Sequence, residues 1–214
     1  MNLKENKNKT AVTNEVFGTL INLAGRQRML SQRIILNAIL ASEGDLIALA
    51  AAREALALFK DTHSILVHGK GEMPGLFFDQ LRLAYFGPDQ ANRKIQEFMQ
   101  LAERALEENQ AHGLPSLLAE LGQLATPIVG ILNAITVVYE AEFKRQVLNQ
   151  KKQQQAMMSN IKDIAKQARI VSVNAQIIAA RAGHAGREFS VVASVLSNIT
   201  SEMDDLVRVA MSEA

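Results

Sequence analysis

From Ser116 to Ala182 the chain offers no firm place for a helix to stop. Pro127 should bend the helix by removing one backbone donor and crowding the preceding turn, so the stretch is one very long helix or two nearly in line. The 56 residues from Pro127 to Ala182 would extend about 80 Å at 1.5 Å per residue, wider than a compact domain of this size. Such a helix needs a partner along its length. The chain supplies one after the turn Gly183, His184, Ala185, Gly186, where Phe189, Val192, Leu196, Ile199, Met203, Leu206 and Ala210 step by three and four, the pattern of a coiled-coil seam. The outgoing arm offers Ile161, Ile164, Ala168, Val171, Ala175, Ile178 and Ala182 as the facing seam. A second stripe, Ile170, Val173, Ile177 and Ala180, lies beside it. Two stripes on one arm imply a hairpin that packs on itself and on a second copy, giving an intermolecular four-helix bundle.

The preceding sequence repeats helical spacing and nowhere sustains strand alternation. A first helix is expected over residues 13–43, with Val16, Leu20, Leu23, Gln27, Leu30, Ile34 and Ala38 on one face and Gly44 at its end. A second runs from the cap Asp45 to His68 and stops at Gly69, Lys70, Gly71. A short helix over 76–86 ends before Gly87 and Pro88, a third long one spans 89–109, and Gly113 and Pro115 separate it from the long helix. Aromatics at 5% and only 4 prolines suit helices better than a sandwich or barrel. The fold class is therefore all-α: an up-down helical bundle over residues 11–150, continued by a long helix into an antiparallel coiled-coil hairpin over 155–214. The polar run 149–155 joins them as a solvated stalk, and the Lys/Asn-rich residues 1–10 form a frayed end.

Composition excludes several classes. With 23 Lys plus Arg against 22 Asp plus Glu, no global field draws in nucleic acid or an acidic surface, so anion recognition must be local. Absence of cysteine removes disulfides and thiolate chemistry and agrees with a cytoplasmic location. Residues 121–139 carry no charge over a membrane-spanning length, but Gln123, Thr126, Pro127, Asn133 and Thr136 erode the apolar gain. A buried core helix is expected there, with no membrane partner. His63 and His68 are five apart and His112 and His184 isolated, which argues against a metal site. Glu107-Glu108 and Asp204-Asp205 are adjacent, so each pair diverges by about 100° on a helix. No catalytic residues and no cofactor are expected. His63 is the only candidate for a phosphotransfer histidine, and the residues after it imitate such a motif poorly.

Within the first helix, residues 21–33 read INLAGRQRMLSQR. Gly25, Arg28 and Gln32 share one face, and Asn22, Arg26 and Arg33 another. A glycine inside a helix costs about 1 kcal/mol, so Gly25 suggests close approach of another backbone beside Arg28. If that backbone is the same helix of a second subunit across a two-fold axis, two Arg28 side chains converge. A small planar oxyanion between them would receive charge-assisted bonds from both guanidinium forks. The alternative is that the three arginines pair with acidic side chains of neighbouring helices or extend into water.

The INLAGRQRMLSQR segment closely resembles the first sensor helix of type IV pilus (PilJ-type) chemotaxis transducers, related to the conserved box of nitrate/nitrite sensor kinases. Independently, the stretch ending NAQIIAARAGHAGREFSVVA resembles the signalling tip of methyl-accepting chemotaxis proteins. The first resemblance implies nitrate or nitrite binding at a homodimer interface through Arg28, with Gly25 as its neighbour and Arg26, Arg33, Ser31 and Gln32 as further contact candidates. The second implies that Asn174 and Arg181, flanking the turn made by Gly183 and Gly186, contact neighbouring receptors, a chemotaxis kinase or a coupling protein. Ile178, Lys166 and Glu188 depart from that family's usual glutamate, aromatic and glycine, which weakens the expectation of ordinary receptor assembly. The return arm is too short for methylation helices, so no methylation is expected. Two functions follow: a non-enzymatic chemoreceptor-like transducer sensing a small oxyanion, or a ligand-free helical adaptor that docks on chemosensory proteins.

Overall fold

The computed structural model describes residues 12–107 and 113–212; the expectations for residues 1–10, for His112 and for a helix reaching Asn109 lie outside them. Six α-helices follow one another: α1 (Asn14–Ser42), α2 (Leu46–His68), α3 (Asp79–Phe86), α4 (Ala91–Glu107), α5 (Leu114–Arg181) and, after a 3-10 turn (Gly183–Gly186), α6 (Arg187–Ser212). The described residues contain no strand, only an isolated bridge between Lys70 and Met73. The chain divides into two compact units, one up to Lys144 and one from Arg145.

Local chemistry sets the helix ends. The Thr13 side chain accepts from the Val16 N–H, and the Asp45 carboxylate accepts from the N–H groups of Ile47 and Ala48 at 2.8 and 3.0 Å, satisfying donors a first turn leaves unpaired. Gly69 ends α2 at φ 82°, and a Cβ there would lie 3.0 Å from the Gly75 nitrogen, so both conformation and space require glycine. The short helix begins at Asp79 rather than near residue 76, because Phe78 is extended at φ −139°. Aromatic packing holds it so: Phe77 lies edge-on to Phe17 at 5.3 Å, and Phe78 packs against Tyr139 at 6.4 Å.

In the first unit α1, α2, α4 and the early part of α5 surround one core. Phe59 meets Phe98 at 5.5 Å, while Leu20, Ile34, Ile95, Leu132 and Ile135 are almost fully buried. The up-down order shows in cross-helix pairs. Arg33 meets Glu54 and Lys60 meets Glu103; advancing from Phe17 to Arg28 on α1 meets a retreat from Phe143 to Asn133 on α5. By length and composition α5 could cross a membrane, yet one face of its 121–139 stretch buries Leu121, Ile128, Leu132 and Tyr139 in this core. It runs unbroken through Pro127, where Gln123 and Pro127 are exposed and water can take up the carbonyl left without a donor.

In the second unit the end of α5 pairs with α6, but along a different seam from the one the periodicity suggests. The buried positions are Ala165, Ser172 and Ala179 on one arm and Gly186, Ala193, Thr200 and Val207 on the other, repeating every seven residues. Ile164, Val171 and Ile178, expected inside, are exposed, as are Val192, Ile199 and Leu206. Small side chains face inward because the backbones approach closely: a Cβ on Gly186 would lie 2.8 Å from the Ala179 carbonyl carbon, and the Ser172 hydroxyl donates to the Ala193 carbonyl. Gly186 therefore serves close packing. Gly183 makes the turn itself, at φ 59°, as a left-handed cap.

Candidate ligand site on the first helix

Arg28 occupies the half-buried edge of α1 that faces α5. Its Nη1 donates to the Asn133 Oδ1 at 2.7 Å, a short charge-assisted bond to a neutral acceptor. The guanidinium folds back over Gly25: a Cβ there would stand 3.5 Å from Nη2, ordinary contact and no clash. Among the described residues no carboxylate lies within ion-pairing distance of Arg28. Its positive charge is thus held by hydrogen bonding without being neutralised.

The other predicted contacts are dispersed. Arg33 pairs with Glu54 at 3.6 Å, the arrangement foreseen as the alternative role for these arginines. Arg26 and Gln32 are exposed, on a different side of α1 in the case of Arg26. Ser31 is fully buried and its hydroxyl donates to the Arg28 carbonyl at 2.8 Å, so it ties down the turn carrying Arg28 and presents nothing outward. Gln27, treated in the sequence as part of the apolar stripe, is fully buried with neither amide atom hydrogen-bonded. A polar residue at a core-facing position of the stripe was the signal for it.

Three more helix glycines have open space beside them: Gly130 one turn from Asn133, and Gly18 and Gly122 about three turns from Arg28 and Asn133 respectively. A Cβ at Gly18 on α1, or at Gly122 or Gly130 on α5, would meet nothing within 4 Å. Each lies inside a helix, where glycine costs roughly 0.5–1 kcal/mol against alanine, and no contact among the described residues requires it.

A second polar group lies deeper. His63 Nε2 is 2.9 Å from the Asn92 Oδ1, and its ring packs 6.0 Å from Tyr85. Burial pushes the His63 pKa below its ordinary value, with Asn92 opposing and His68 adding to the shift. Burial likewise raises both Tyr85 and Tyr139, which influence each other. With only 6% of its surface exposed, His63 is closed to the kinase contact a phosphotransfer histidine needs. Among the described residues no cluster of three or more acidic or histidine side chains could hold a metal ion.

At the hairpin end Asn174 and Arg181 are exposed on either side of Ile178, itself 62% exposed, while Gly186 is buried. Of the tip residues expected to meet a partner, Asn174, Arg181 and Gly183 remain on the surface.

Residues 13–121 match the type IV pili methyl-accepting chemotaxis transducer N-terminal family, and residues 121–208 match the methyl-accepting chemotaxis protein (MCP) signalling domain. The first match spans half of the chain, and the chain belongs to that family. It is a chemoreceptor-like signal transducer, built from two domain types whose business is signal transduction. Comparison with curated proteins and with solved structures gave no match.

Proposed function

We propose that this chain is a cytoplasmic, non-enzymatic transducer in which two copies face each other across α1 and α5 and hold a small oxyanion, nitrate or nitrite, between their Arg28 side chains. The observation that carries the reading is the state of Arg28: half-buried, bonded to a neutral amide with no carboxylate partner among the described residues, and laid over a glycine. An unneutralised guanidinium at an edge bordered by helix glycines suits a second helix approaching closely with an anion between. Gly25 beside Arg28, and Gly130 one turn from Asn133, leave room for that approach, and a two-fold axis near Arg28 doubles the donors. Arg26 faces away on another side of α1 and takes no part in the site, and Arg33 keeps its own partner.

The hairpin favours the same dimer. On an antiparallel pair, the residue before each seam position on both arms lies on the same flank. That flank carries Ile164, Val171, Ile178, Val192, Ile199 and Leu206, all exposed, whereas the opposite flank carries the Arg169–Asp204 pair at 4.0 Å. One flank is apolar and the other charged, as a hairpin that pairs with a second copy requires. Asn174, Arg181 and Gly183 then form the exposed end that meets a kinase or coupling protein. Calorimetric titration of the full chain with nitrate and with nitrite, repeated on Arg28→Ala, tests the sensor: binding to the wild type, lost in the variant, is expected. Absence of heat with the wild type would leave the ligand-free adaptor, and pull-down with a coupling protein would test that role.

A further inference from the structure

We propose that Asn133 is the positioning residue through which the Arg28 site acts on α5: it holds the guanidinium when no anion is present and hands it over when one binds. The inference rests on the reading that Arg28 binds an oxyanion. Its basis is the bond from Arg28 Nη1 to Asn133 Oδ1 at 2.7 Å, which joins helices far apart in sequence. Arginine has donors only, so the amide must present its oxygen to it. An oxyanion is an acceptor only, so it is repelled by that oxygen and attracted by the Nδ2 hydrogens of the same side chain.

Occupancy therefore demands an exchange. Asn133 withdraws its oxygen, and Arg28 is released to the ligand. Few side chains can serve both states. A carboxylate at 133 would neutralise Arg28 and exclude the anion, and an alkyl group would leave Arg28 free and sever the link. Because Arg28 belongs to α1 and Asn133 to α5, the exchange alters the contact between those helices. The helix that carries Asn133 continues without a break to Arg181 at the hairpin turn. A ligand shifts an equilibrium only through contacts that differ between two states, and this is such a contact.

Asn133 is exposed, so substitution leaves the core intact. The test compares wild type, Arg28→Ala, Asn133→Asp and Asn133→Ala. Nitrate and nitrite affinities are measured by calorimetry, and the α1–α5 distance by spin labels at Thr19→Cys and Lys144→Cys in the otherwise cysteine-free chain. Asn133→Asp is expected to weaken anion binding at least tenfold with unchanged helicity. Asn133→Ala is expected to bind within threefold of wild type, or tighter, but to lose the anion-dependent change in distance. A merely structural role would not separate affinity from movement. If the wild type binds, Arg28→Ala does not, and both Asn133 variants bind and move like the wild type, the role of Asn133 is refuted while the Arg28 site stands. If the wild type binds no anion, both fall.

Discussion

Truncating Ile178 to alanine tests whether the apolar flank of the hairpin is the dimer surface. Ile178 is 62% exposed, so a second copy would cover roughly three-fifths of its side chain. The substitution deletes roughly three methylene equivalents worth about 0.8 kcal/mol each when fully buried, which gives ~1.4 kcal/mol at one site. A two-fold dimer contains the site twice, so the loss is about 3 kcal/mol, or roughly a hundredfold in the dissociation constant. Sedimentation equilibrium over a wide concentration range would measure it. Ile177→Ala is the control, since Ile177 is 48% exposed but points away from both the seam and the flank. Equal dissociation constants for wild type and Ile178→Ala would refute the assignment. Dissociation by Ile177→Ala alone would move the interface to the stripe of Ile170, Val173 and Ile177.

Gly186→Ala drives a methyl group into the Ala179 backbone and should destabilise the hairpin by at least about 2 kcal/mol, seen as faster hydrogen exchange along α6. Gly25→Ala finds room beside Arg28 and should raise stability by about 1 kcal/mol from helix propensity, a melting increase of about 2–4 °C; Gly25→Leu should abolish anion binding while the chain still folds. His63 resists protonation in the folded state. Above its ordinary value of 6.5 folded and unfolded chains are both neutral there and its contribution to stability is complete; as pH falls below 6.5 the unfolded chain takes up the proton first and stability declines. Denaturant titrations from pH 8 to pH 5 should show this fall, reduced in His63→Gln.

Much of the architecture was legible in the sequence. Thr13 and Asp45 announce helix starts, Gly44, Gly69 and Gly183 their ends, and the absence of a stop after Ser116 announces the long helix. All of these act through the backbone within a turn of their own position. The hairpin seam was only half legible: Ala168, Ala175, Leu196 and Met203 lie on or near it, but the larger residues assigned between them do not. Volume suggested that isoleucine and valine belong inside, whereas close backbone approach at Gly186 and Ser172 admits only small side chains. The start of the short helix was misplaced because Phe77 and Phe78 serve aromatic partners on α1 and α5 in preference to helix continuity.

For the candidate site, sequence alone singled out Arg28 and Gly25, because the motif is contiguous and a helix fixes which of its residues share a face. It carried no sign of Asn133 as the partner of Arg28 or of Glu54 as the particular partner of Arg33. Those depend on which helix lies opposite and at what height. Backbone geometry is encoded within a few residues, and so can be read along the chain; pairings across the bundle follow from how whole helices settle their side-chain volumes against one another, and only the folded arrangement decides them.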